Sequence, residues 1–127
     1  MACASRLTSR FSISMTARAQ IRVFDVAADG SISNGSIFFD KIGSGDIDEG
    51  IPDGMKCDER GNIYVTGPGG VWVISPSTKL LGRIAVPENV GNINFGRADW
   101  KTLFICASTS LYRIELRVGG NRLSYMH

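Results

Sequence analysis

"IPDGMKCDERGNIYVTGPGGVWVISP" occupies residues 51–76, and its reading decides the fold. Two runs rich in aliphatic and aromatic residues, "NIYVTG" (62–67) and "VWVI" (71–74), are joined by "GPGG" (67–70). Short β-prone runs punctuated by Gly and Pro are the signature of strands and hairpins. The segment predicts strand a near 53–58, b at 62–66, c at 70–75 and, just beyond it, d at 80–86. "DERGN" (58–62) forms the a–b turn. Asp53, between Pro52 and Gly54, stands at the head of strand a.

Working outward, the pattern recurs. Ile63 and Val65 have counterparts in Leu103 and Ile105, forty positions on; Val71, Trp72 and Ile74 have theirs in Leu111, Tyr112 and Ile114. "RADWKT" (97–102) answers to the "DERGN" turn. A period near forty with four short strands per unit marks a β-propeller blade. Upstream, "IRVFDV" (21–26) and "SIFF" (36–39) supply strands c and d of another blade. Downstream come strands a, b and c of a third, with "GGN" (119–121) turning toward a last strand. The expected fold class is all-β, a partial propeller of about two and a half four-stranded blades, with helix minor. The same strands would also suit a small sandwich. Too few blades to close leaves open strand edges, so self-association through those edges is expected.

The chain has 127 residues, 43% hydrophobic and 20% charged, which is globular and about one domain. Fifteen glycines suit many tight turns. No apolar run reaches the roughly 18–20 residues that span a bilayer, so no membrane association is expected. The net charge of +2 conceals an asymmetry. Residues 1–24 carry four arginines and no acid. Residues 25–59 carry nine acids against two lysines, and residues 60–127 carry eight Lys/Arg against three acids. The basic residues are scattered rather than interleaved with aromatics, which argues against a nucleic-acid surface. Residues 1–20, "MACASRLTSRFSISMTARAQ", have the Ser, Thr, Ala and Arg content of an organellar transit peptide, and equally suit sequence unrelated to the domain. Composition therefore sets 1–20 apart as an unassigned or disordered segment from a β domain over 21–127. Cys3, Cys57 and Cys106 form no C-x-x-C pair and suggest neither a disulfide framework nor a zinc knuckle. A reducing, cytoplasmic compartment is the simpler expectation.

Asn92, in "VGNINFG", opens the third strand a, thirty-nine positions after Asp53. Two oxygen-bearing side chains at repeated inner positions would converge, and hard divalent cations select such oxygens. Each would equally serve as a turn cap through its own backbone. Other motifs fail. "DIDEGIPDGMKC" (46–57) starts like an EF-hand loop but has Ile51 and Cys57 where that loop needs Gly and Glu. "GPGG" precedes a strand rather than a helix and is a hairpin turn, not a phosphate cradle. His127 is the single histidine and lies at the chain end, so no nucleophile–histidine pair can be assembled. Cys57 and Cys106 read as small core residues.

"IPDGMKCDERGNIYVTGPGGVWVISP", "LLGRIAVPENVGNINFG" (80–96) and "KTLFICASTSLYRI" (101–114) together resemble the gluconolactonase / senescence-marker-protein (regucalcin-like) family over roughly residues 21–121, with I-P-D-G-M the most specific part. The resemblance implies a six-bladed propeller, a hydrolase that opens sugar lactones and related esters, and a divalent cation (calcium, zinc or manganese). It places a metal ligand and general base on Asp53 and a further ligand on Asn92. The family's other ligands, a Glu near the N-terminus and an Asn in a P-N-G-L-type segment, have no counterpart here. Arg97 replaces the second glycine of the usual F-G-G. Two functions follow: a metal-dependent lactonase present as a C-terminal part, or a non-catalytic truncated propeller fragment or protein-interaction module.

Overall fold

The computed structural model describes residues 2–4, 10–15, 19–44 and 46–122. Among these residues eleven strands form three antiparallel sheets. The first orders β1 (Ala2–Ala4), β2 (Arg10–Met15), β3 (Gln20–Val26) and β4 (Ile32–Phe39) side by side. The middle sheet orders β5 (Met55–Cys57), β6 (Ile63–Gly67), β7 (Gly70–Ile74) and β8 (Leu80–Ala85). The third holds β9 (Val90–Gly96), β10 (Thr102–Ala107) and β11 (Leu111–Glu115). The inner strands β1, β5 and β9 adjoin in succession. Sheets radiating in sequence from inner strands make a partial β-propeller, and the sandwich alternative falls. The helical content described is the single 3₁₀ turn Ile47–Glu49.

The middle sheet follows the sequence pattern strand for strand. The first sheet does not. Two strands were legible there, and the segment set apart on composition supplies β1 and β2, with β2 pairing along β3 from Arg10–Asp25 to Met15–Gln20. At the end of the third sheet "GGN" carries the chain back to the middle sheet, where Gly120 bridges to Asp58; the last strand expected after it falls outside the described residues. The Glu59 amide donates to the Gly119 carbonyl at 2.9 Å, and the Asn121 amide to the Cys57 carbonyl at 2.9 Å. Gly120 is required at this crossing: a Cβ there would lie 2.2 Å from the Phe95 ring.

The core sits between sheets, as period-2 alternation in a strand covered on both faces demands. Met55, Ile63, Val65 and Ile74 pack toward the first sheet with Ile21 and Ile42. Tyr64 and Val71 point the other way and pack with Ile93, Phe95, Leu103 and Ile105 of the third. All five residues of β6 are buried. Cys106 is an exposed free thiol, not a core residue. Its position on β10 puts it on the face of the third sheet turned away from the middle sheet, since it pairs with Leu111 and Asn92. Cys57 is buried as expected but is disulfide-bonded, against the expectation of no disulfide.

Candidate functional site

Asp53 precedes β5 in the turn Ile51–Gly54, and the residue that shapes this turn is Thr66 on β6. The Thr66 hydroxyl accepts from the Asp53 amide at 2.8 Å and from the Gly54 amide at 3.2 Å. It donates to the Ile51 carbonyl at 3.1 Å, and the Thr66 amide donates to the Gly54 carbonyl at 3.0 Å. Thr66 is fully buried, so its polar group must be paired, and here one hydroxyl is satisfied three ways. With its backbone held, the Asp53 side chain is presented to solvent. Its carboxylate has no hydrogen-bond or ion-pair partner among the described residues. Sequence reasoning missed Thr66; the available signal was a lone polar residue within the otherwise apolar "IYVTG" strand.

Asn92 lies on β9 at the same end of the molecule. Strand pairing refines its relation to Asp53. Met55 pairs with Val65 and Cys57 with Ile63, whereas Ile93 pairs with Ile105 and Phe95 with Leu103. The repeat is therefore thirty-eight residues along strand a, and Asn92 is the counterpart of Gly54, one residue past Asp53. The two positions also touch directly: an ideal Cβ on Gly54 would fall 2.5 Å from Asn92 Oδ1. Asn92 is exposed, and its Oδ1 accepts from the Ile93 amide at 2.9 Å, fixing its orientation.

The segment leading to Asn92 is pinned by Glu88. Its carboxylate accepts from the Thr109 amide at 3.1 Å, from the Thr109 hydroxyl, and from the Tyr112 hydroxyl at 2.6 Å. These bonds, the Thr109 hydroxyl first, hold the carboxyl down at about 2, and the same contact raises Tyr112. Next to it, the Asn89 carbonyl accepts from the Ser108 amide at 3.0 Å.

The far end of β5 carries a contrasting carboxylate. Asp58 is 2% exposed and accepts from the Arg60 and Asn62 amides at 2.9 Å each, Asn62 Nδ2 at 2.8 Å and the Tyr64 hydroxyl at 3.3 Å. Burial first, then Asp58, pushes Tyr64 up to about 12. Asp58 is consumed by the fold. A cleft of about 290 Å³, lined by Glu59, Asp99, Trp100 and Arg122 among others, also lies at this end, away from Asp53.

Among the described residues no three His, Cys, Asp or Glu side chains converge as a cation site. What this end of the sheets offers is an exposed carboxylate at Asp53 and an amide oxygen on exposed Asn92, which abuts the next residue, Gly54. That donor chemistry fits a hard divalent cation, and their number leaves most of its roughly 6–8 positions to other oxygens.

Radial β-sheets that adjoin through their inner strands define the class of fold, a β-propeller. The chain belongs to the SMP-30/gluconolactonase/LRE-like family, whose model matches residues 3–109. Gluconolactonase from Zymomonas mobilis is 36% identical over 73 residues, covering 56% of this chain and 20% of that protein. Among solved structures, a gluconolactonase from Xanthomonas campestris has a TM-score of 0.74 at 26% identity, covering 91% of this chain and 36% of that one. Regucalcin from Agrobacterium tumefaciens, a calcium-binding protein, has a TM-score of 0.80 at 17% identity, covering 94% of this chain and 46% of that one. This chain thus spans less than half the length of each.

Proposed function

We propose that this chain carries part of the site of a divalent-cation-dependent hydrolase acting on sugar lactones. The observation that supports it most is the Thr66-built turn. It leaves the Asp53 carboxylate exposed, without a partner among the described residues, one residue before Gly54, which abuts Asn92, in a chain of the gluconolactonase family. When bound, a divalent cation polarises an ester carbonyl and lowers the pKa of water. Asp53 and Asn92 would hold it, with calcium, zinc and manganese the candidates. Asp53, with no partner among the described residues, is free to take a proton from an attacking water, a role for which a carboxylate needs reach rather than burial. Asn92, its Oδ1 fixed by the Ile93 amide, serves as an oriented neutral donor.

A second reading, an interaction module without turnover, is favoured by the shortage of protein donors. Two side chains predict cation affinity no tighter than about millimolar, the weak end of the calcium range. Titration calorimetry of the chain with calcium, zinc and manganese, run beside a gluconolactone assay, tests both readings. The lactonase reading expects weak cation binding that Asp53→Asn abolishes, with negligible turnover by this chain alone. In a protein extended with further family blades, turnover should appear and Asp53→Asn should cost at least about a hundredfold in rate. Full activity in that variant would overturn Asp53 as the base.

A further inference from the structure

We propose that Lys56 is a second reacting group, an amine that sugar lactones acylate at its ε-nitrogen. The proposal rests on the hydrolase reading for its electrophile; the amine and its surroundings are features of the fold.

Strand alternation fixes where Lys56 lies. Met55 and Cys57 pack toward the first sheet. Lys56, between them, points to the opposite face of β5, the face of its cross-strand pair Tyr64. The middle sheet thus has a neighbouring sheet on either side of this strand.

Hydrogen bonding then locates the amine. The Gly54 carbonyl accepts from the Thr66 amide on β6, which turns the next carbonyl, that of Met55, to the edge away from β6. β5 ends the sheet order, so this is the inner edge of the middle sheet. The Cys57 carbonyl shares it and accepts there from the Asn121 amide at 2.9 Å. Lys56 Nζ donates to the Met55 carbonyl at 3.4 Å, so the amine is folded back onto the same edge. Asp53 precedes it by three residues, at most about 11 Å of chain. The flexible four-carbon stem lets the amine swing toward that carboxylate.

The setting favours the uncharged amine. Of the four lysines, Lys41, Lys79 and Lys101 are exposed and Lys56 is half-buried. Burial disfavours the charged form and holds Lys56 below the ordinary lysine value of 10.5. Only the uncharged amine has a lone pair to attack with, and desolvation is one way a lysine is made nucleophilic. Solvent still reaches the side chain, so a small ester can.

The step balances without a further reagent. The Nζ lone pair attacks the lactone carbonyl carbon, and the bond from that carbon to the ring oxygen breaks. The ring oxygen leaves with the electron pair and takes up the proton that nitrogen loses. The product is an amide carrying an open polyhydroxy chain. A lactone held at Asp53 therefore has two fates, attack by water or attack by Lys56.

The test is incubation of the 127-residue chain with glucono-δ-lactone and, in parallel, with phenyl acetate, followed by digestion and peptide mass. With the lactone, Lys56 should be acylated several-fold faster than Lys41, Lys79 or Lys101. Its lead over them should be smaller with phenyl acetate, which has no sugar hydroxyls. Lys56→Arg should lose the label with an unchanged circular-dichroism spectrum. Asp53→Asn should shrink the lead seen with the lactone and leave that seen with phenyl acetate unchanged. Lys56 no faster than the exposed lysines, an equal lead with both esters, or a lactone lead unchanged in Asp53→Asn would each overturn the proposal. Cation titration and the lactonase assay report separately on the hydrolase reading. Cation binding with Lys56 unlabelled sinks this proposal alone, and Lys56 labelling without cation binding sinks only the cation dependence of that reading.

Discussion

Gly54 and Asn92 are in such close approach that a methyl group on Gly54 would lie 2.5 Å from Asn92 Oδ1 and 2.8 Å from its Cα. The second contact is with backbone and cannot be relieved by a side-chain rotation. Gly54→Ala should therefore push β5 and β9 apart, costing about 1–3 kcal/mol as an overpacked contact. Gly82→Ala, where nothing lies within 4 Å, is the matched control and should be near neutral. Urea melts of the two variants check this, and equal stability would mean that the approach is not felt.

Thr66→Val keeps the shape of the side chain but removes the hydroxyl that holds Ile51, Asp53 and Gly54. Leaving those backbone groups unpaired should cost about 1–3 kcal/mol, and Thr66→Ser should recover most of it. Amide exchange gives the sharper readout: the Asp53 and Gly54 amides should lose protection in Thr66→Val, more than amides of the neighbouring β7.

Asp53 and Asp58 flank the same short strand and should respond oppositely to mutation. Asp53→Asn removes an exposed charge with no described partner and should change stability by less than about 0.5 kcal/mol. Asp58→Ala strands two amides, the Asn62 side chain and the Tyr64 hydroxyl, and should cost more than about 3 kcal/mol. Tyr64 should then titrate below its present value of about 12, read by ultraviolet absorbance; burial keeps it above an ordinary tyrosine.

Glu88 predicts a pH dependence. Its carboxyl lies at about 2, against an ordinary value of 4.5. A depressed carboxyl contributes stability that is present in full above 4.5 and is lost as pH falls toward 2. The melting temperature of Glu88→Gln should fall less steeply than that of the parent across this window. Because Glu88 is only partly buried, the difference should shrink in high salt.

The middle sheet was legible because every signal agreed there: glycine-marked turns, alternating apolar residues and a matching repeat forty residues on. β2 was not legible, since "RFSISM" mixes Ser with apolar residues and sits among arginines, so that composition masked its alternation. The crossing at residues 119–121 was equally hidden. Glycines advertise a turn but not its destination, and the cause, contact with the Phe95 ring, exists only in three dimensions. At the site, Asp53 and Asn92 were visible as residue types at repeated positions. Their one-residue offset was not, because strand a repeats at thirty-eight residues while strand b repeats at forty. Thr66 was overlooked because a single polar residue in a strand carries no mark of whether it faces solvent or a turn.

The crossing of residues 119–121 has a consequence for how the chain is made. The Cys57 carbonyl and Glu59 amide are bonded to Asn121 and Gly119, about sixty residues later. During synthesis the middle sheet emerges first, yet its lower edge stays unfinished until the last turn of the third sheet leaves the ribosome. Closing so long a span costs about 4 kcal/mol of chain entropy, recovered only when the whole third sheet has formed. The middle and third sheets should therefore gain and lose structure together, under heat or under mechanical pull. β3 and β4, laddered to β2 within their own sheet and packed on the middle sheet through Ile21, Phe38 and Phe39, should open as a separate unit.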